Sequence, residues 1–190
     1  LMKSGATKTI QYPQTLLTNT VFAGATGYNG SFGGVNVSNT IRPIKLTAIA
    51  LPQNALASTL DLNTAGNFQV SSSGASFSFN QYNVSLAGQQ VLPKNIQQDS
   101  EHYNWLQKQN PNMRLTYDQF KNGNYIIQTD LSRVPLSNDG NATQLTLNAN
   151  YSSNSQTGTL YFLTDSLKTT TMKFNSSKIV FDSYLGDVKN

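Results

Sequence analysis

The stretch Thr143 to Tyr151, TQLTLNANY, places Leu145, Leu147, Ala149 and Tyr151 at every second position, with Gln, Thr and Asn among the residues between. Side chains of an extended strand point to opposite faces in turn, so strict period two means one face in a core and the other in water. Related runs recur along the chain. In TIRPIKLTAIAL, from Thr40, the residues Ile44, Leu46, Ala48 and Ala50 share one phase, and Pro43 sits near the start, where an edge or first position tolerates it. Further runs are NFQVSS (67–72), NYIIQTDL (124–131), TLYFLT (159–164), TTTMKF (169–174) and KIVFDSYL (178–185). Turn signals at Asn122-Gly123, Asp139-Gly140 and Ser155 to Gly158 separate several of them. Roughly eight to ten strands at such short spacing predict a sandwich or barrel.

One run breaks its own rule. In FSFNQYNVSLAGQQVLP, Phe77 and Phe79 are apolar on odd positions, whereas Tyr82, Val84 and Leu86 are apolar on even ones. The slip near Gln81 either exposes half of the apolar set or is absorbed by an extra residue, a β-bulge. A bulge would bend one long strand and keep both halves facing inward.

Residues 1–40 are rich in Thr, Gly, Asn and Ser around short apolar pieces (Ile10, Leu16-Leu17, Val21-Phe22), and GATGYNGSFGG runs from Gly24 to Gly34. This part is predicted as an N-terminal arm of turns and short strands with a Gly-rich loop. Its glycines lack GxGxxG or P-loop spacing, so no phosphate cradle is read there. The middle of the chain differs. IQQDSEHYNWLQKQNP has Ile96, Tyr103 and Leu106 at helix-compatible spacing, with Pro111 just beyond. In TYDQFKNG, Thr116 and Gln119 have the spacing of a capping box and Gly123 is placed to end the helix. Two short helices therefore interrupt the strands, with Tyr103, Trp105 and Phe120 expected to cover one end of the core.

The 190 residues suit one domain or two small ones and bury a core without staples. The absence of Cys removes disulfides, thiolate zinc sites and thiol catalysis. Charged residues are only 12% of the chain, and the net charge of +4 is scattered, with no basic run or nucleic-acid module. Sequence-specific nucleic-acid binding is not expected. A polar but weakly charged surface repels its own copies little, which permits crowded self-association. No apolar run approaches the roughly 20 residues of a membrane span, and the start LMKSGATKTIQYP lacks the apolar segment of a signal peptide. The Leu1-Met2 start leaves open whether the sequence begins inside a longer polypeptide.

A search for chemistry finds little. The single histidine, His102, follows Glu101 on the first predicted helix, without a Ser elbow or a matched acid in the sequence. A lone imidazole does not make a metal site. Asp99 and Glu101 read as first-turn helix charges rather than a glycosidase pair. DLNTAGNF matches a calcium loop at Asp61, Asn63 and Gly66, but Ser72 stands where the bidentate acid belongs. Asn-x-Ser/Thr triplets at Asn29, Asn36, Asn83, Asn141, Asn150 and Asn175 follow from composition. Arg133 reads as a solvent-facing strand-end residue, with clamping of a carboxylate as its alternative. No catalytic, cofactor-binding or metal residue is assigned, no cofactor is expected, and the chain is not read as an enzyme.

Taken together, FSFNQYNVSLAGQQVLP, QQDSEHYNWLQKQNP, LTYDQFKNGNYIIQTDLSR and TQLTLNANYSSNSQTGTLYFLTDS resemble a viral jelly-roll capsid subunit over residues 75–185. More narrowly, they are similar to the double jelly-roll major capsid proteins of tailless icosahedral viruses with an internal membrane, bacteriophages especially. The resemblance implies a mainly β fold, a jelly-roll sandwich with two short helices inserted in mid-chain. It divides the chain into residues 1–40 and a jelly-roll domain at 41–190, which is either a single-jelly-roll component or one part of a longer double jelly-roll chain. It also implies a structural virion protein that self-assembles as trimeric capsomers, partnered by other capsid proteins and an internal viral membrane, around the genome. No functional residues carry over, because this family does no side-chain chemistry. Loops such as Gly24 to Gly34 and Asn138 to Thr143 are then expected to be exposed or used in contacts. The rival reading is a bacterial adhesin or carbohydrate-binding sandwich, with Tyr12, Tyr28, Phe32 and Tyr151 as candidate sugar platforms. A glycoside-processing jelly-roll enzyme comes third.

Overall fold

The computed structural model describes residues 7–25, 27–40, 42–52, 77–121, 125–134, 142–153, 157–175 and 178–184. In chain order the strands are β1 (Thr7–Phe22), β2 (Tyr28–Thr40), β3 (Pro43–Pro52), β4 (Phe77–Leu86), β5 (Gln89–Gln90) and β6 (Ile96–Gln97). After helices α1 (Asp99–Gln109) and α2 (Tyr117–Lys121) come β7 (Ile126–Asp130), β8 (Thr143–Ser153), β9 (Gly158–Asn175) and β10 (Lys178–Tyr184).

One sheet has the order β1-β9-β3-β7, with β10 also on β9; the other is β2-β8-β4, with β5 and β6 both on β4. Every pairing is antiparallel. With β5 and β6 sharing one position, this is the order made by rolling up a long antiparallel hairpin. With β10 left aside, the first strand pairs with the ninth (β1·β9), the second with the eighth (β2·β8), and so inward, with β9·β3 and β8·β4 joined by the roll. The expected jelly-roll sandwich is the fold, with α1 and α2 inserted before β7.

The core lies between the sheets and follows the period-two rule. Leu145, Leu147, Ala149, Tyr151 and Ser153 of β8 are buried, as are Leu160, Phe162 and Thr164 of β9. On β3 the inward phase holds Leu46, Ala48 and Ala50, while Ile44 is only half-buried. The phase slip in β4 is a bulge: the register against β8 shifts between Phe79 and Gln81, and Phe77, Phe79, Tyr82, Val84 and Leu86 are all buried. The capping box forms as expected, Thr116 N donating to Gln119 Oε1 (2.9 Å) and Gln119 N to Thr116 Oγ1 (3.3 Å).

Other expectations change. The N-terminal segment is no arm apart from the sandwich: β1 and β2 pair along β9 and β8 and belong to the two sheets. Gly30, Gly33 and Gly34 lie within β2 rather than in a loop, and the latter two sit where its register shifts between Phe32 and Val35. Gly34 takes φ +65°, a conformation other residues resist, and its N–H donates to Asn148 Oδ1. TLYFLT and TTTMKF are not two strands but one, β9, because β1 pairs along its whole middle, from Gly158 to Lys173. Ile96 lies in β6, ahead of α1, whose buried residues are His102 and Leu106. NFQVSS, the calcium-like segment at Asp61, Asn122-Gly123 and Asp139-Gly140 fall outside the described residues.

Pro13 shows how β1 survives as an outer strand. Leu167 N–H donates to Arg42 O, so odd residues of β9 turn their peptide groups away from β1 and even ones toward it. The register Gln14↔Ser166 then turns the even peptide groups of β1 toward β9 and the odd ones, Pro13 included, toward the open edge. The missing N–H falls where no ladder needs it and where an added strand would look for a donor.

Candidate functional site

The feature that calls for explanation is the outward face of the β1-containing sheet. Register sets its residues in rows: Asn19–Tyr161–Ile49–Ile126, then Leu17–Leu163–Thr47–Gln128, then Thr15–Asp165–Lys45–Asp130. Val21 stands at the far end, paired with Thr159. Leu17 is 59% exposed and Val21 66%, and Tyr161, Leu163, Ile49 and Ile126 are half-buried. An antiparallel sheet with one face in water normally carries polar and charged residues there, so two adjoining rows without a charge and with Leu17 and Val21 exposed set this face apart.

Charge returns in the third row. Lys45 Nζ lies 2.8 Å from Asp165 Oδ2, and Thr15 Oγ1 donates to Asp165 Oδ1 at 2.6 Å. Burial alone would raise the Asp165 carboxyl, but these two hydrogen bonds outweigh it and hold the group below its ordinary value. The row opens onto a groove of about 960 Å³ bounded by α1, lined by Lys45, Asp130, Asp165, Trp105, Lys108 and Arg133. Lys108 Nζ sits 5.3 Å from the centre of the Trp105 ring.

The residues singled out in the sequence do not converge on a reaction centre. His102 is buried, its Nδ1 2.6 Å from Tyr125 Oη, and burial lowers its pKa to about 4. Asp99 and Glu101 stand in the first turn of α1. Burial raises Asp99, while Glu101 is lowered by hydrogen bonds from Lys94 and from the Gln97 N–H. Arg133 is exposed on the groove wall. Phe120 is fully buried, and Tyr103 and Trp105 pack half-buried against the core as covers. Asn83 is buried, its Nδ2 donating to Asn95 Oδ1 and Leu92 O, which removes that triplet as a glycan acceptor. No group of three His, Cys, Asp or Glu side chains suited to a metal ion occurs among the described residues.

Of the four candidate sugar platforms, Phe32 and Tyr151 are interior: their rings stack at 4.8 Å inside the aromatic cluster with Phe22 and Phe77. Tyr12 and Tyr28 keep 39% and 38% exposure. Tyr28 lies near the Phe22 end of the sandwich, whereas Tyr12 is ten residues from Phe22 along β1, about 33 Å at strand rise. They do not form one platform.

Sequence reasoning missed the outward row of Leu17, Val21, Tyr161 and Leu163, because it emerges only when the β1–β9 register is known. It also missed Tyr125, which in the sequence is one more residue of the run NYIIQTDL and in the structure stands just ahead of β7.

The strand order is that of a jelly roll, and the structural comparisons show the same fold. A chain in the cryo-EM structure of the Sputnik virophage superposes with a TM-score of 0.54 at 14% identity, covering 94% of this chain and 40% of that one. A chain of the PBCV-1 virus capsid gives 0.52 at 9% identity, covering 94% and 52%. This chain thus spans about half, or less, of the chains it matches. No protein-family profile and no curated protein sequence matches it.

Proposed function

We propose that this chain is a structural virion protein, a jelly-roll subunit of a capsid shell. The observation that carries the reading is the rolled strand order, which follows chains of two virus particles over nearly all of this sequence. In this reading residues 1–190 form one sandwich, either half of a double jelly-roll chain or a single jelly roll. The uncharged outward face of the β1 sheet is its wall against a neighbouring sandwich, and capsomers are trimeric, with other capsid proteins and an internal membrane as partners. Catalysis has no place in it, nor does reading of a nucleic-acid sequence. The adhesin alternative lacks a shared aromatic platform, since Tyr12 and Tyr28 are far apart.

The test is the absolute mass of the purified chain by light scattering on a sizing column, across protein concentration and salt. A stable trimer, or growth into closed particles, is expected. Monomers at every condition, also when co-expressed with the remainder of a longer chain, would overturn the proposal.

A further inference from the structure

We infer that the hydrogen-bonded chain Phe79–Tyr125–His102 is an acid-sensitive latch: protonation of His102 releases α1 from the sandwich while the two sheets stay paired. Phe79 is the residue at which the β4 register shifts, and its N–H donates to Tyr125 Oη at 3.1 Å. With Oη accepting there, its own hydrogen is free to go to His102 Nδ1, 2.6 Å away. The imidazole is then neutral and carries its proton on Nε2, which is buried; the Ile96 backbone acts on the ring in favour of the cation, but burial outweighs it. One side chain of α1 is thus tied through one phenol to the backbone of β4.

A second proton on the ring breaks this arrangement. Nδ1–H would then have to donate to Oη, already accepting from Phe79, and the phenol hydrogen would lose its acceptor. The cation would also lie in a dry wall. From β4, the Tyr82 ring meets the imidazole edge-on at 5.0 Å, and Tyr125, ahead of β7, lies 5.7 Å from it. Burial raises both phenols, so neither supplies a counter-charge near neutral pH. On α1, Glu101 favours the cation, but its carboxylate is engaged by Lys94 and the Gln97 N–H. Asp99 acts on Tyr125 and is itself faced by Lys121 of α2.

The sign follows. The docked ring has its pKa lowered from 6.5 to about 4, chiefly by burial. Above pH 6.5 neither state binds the proton; between 6.5 and 4 the released helix binds it and the docked one does not. Docking therefore weakens as pH falls, by up to about tenfold per unit and roughly 300-fold across the window.

Trp105, the single tryptophan, stands on α1 and reports the event. Its emission and the far-UV circular dichroism are to be followed together from pH 7.5 to 4. The expected result is an emission shift beginning below pH 6.5 with the sheet signal unchanged, absent in His102→Gln. The same transition in His102→Gln, a simultaneous loss of sheet signal, or no shift would overturn the latch. Should His102→Gln fail to fold, imidazole NMR of the unaltered protein decides: this lone histidine should titrate between about 4 and 6.5, together with the Trp105 emission shift, and a midpoint at or above 6.5, or protonation without that shift, would refute the inference.

Discussion

Gly30 shows how one missing atom can be structural. It faces Tyr151 across the β2–β8 pair, and a Cβ there would stand 2.4 Å from the tyrosine ring. That ring cannot retreat easily: it stacks on Phe77 and Phe32, and its hydroxyl donates to Ala23 O. Gly30→Ala is expected to cost about 1–3 kcal/mol as overpacking, measured by urea denaturation. Combining it with Tyr151→Ala should recover the part due to the clash, and strictly additive losses would show that the ring is not the obstacle. The sequence displays Gly30 only as one of several glycines, since the ring that needs it lies far along the chain. The bulge near Gln81 was legible because its signal, a change of phase from Phe79 to Tyr82, is local. The Thr116–Gln119 box was legible for the same reason.

Strands and turns were readable where the residues alternate and obscure where the neighbour decides. β1 looks broken by Pro13 and its threonines, yet pairing with β9 carries it unbroken for 16 residues. β4 gives the firmest prediction. Val84 and Leu147 face each other across the β4–β8 register, with 0% and 1% exposure. Val84→Asp or Leu147→Asp buries an unpaired carboxylate at a cost comparable to the whole stability of a domain, so folding should be abolished. An unchanged melting curve would disprove this register. The hairpin that follows runs the other way. Ala87 and Gly88 form a two-residue turn between Leu86 and Gln89, with φ of 51° and 78°. Such turns favour Asn-Gly, and Ala pays for positive φ, so Ala87→Asn should stabilise by about 0.5–1 kcal/mol. Equal or lower stability in denaturant titration would argue against this turn geometry.

At the scale of the whole molecule, the chemistry of assembly is open to test. If the outward rows of the β1 sheet form a wall between sandwiches, Leu17→Lys with Val21→Lys should abolish the larger mass seen by light scattering. Folding should be unaffected, because both side chains are more than half exposed. Retained assembly in that double variant would place the contact elsewhere. Low charge hinted at such a wall in the sequence; which residues compose it depended on strand order, and non-local pairing leaves no local mark.

That same pairing sets a clock on synthesis. β1 is translated well before β9, its only ladder partner among the described residues, which joins Thr7 to Lys173 and Phe22 to Gly158. At about 5–20 residues per second, roughly ten to thirty seconds pass before β9 is made. Throughout that interval Ile10, Tyr12, Leu16, Leu17 and Val21 have no sheet to join, and nascent chains on neighbouring ribosomes carry the same bare strand. Pro13, which blunts the edge in the finished sandwich, therefore has its most exposed duty before the sandwich exists.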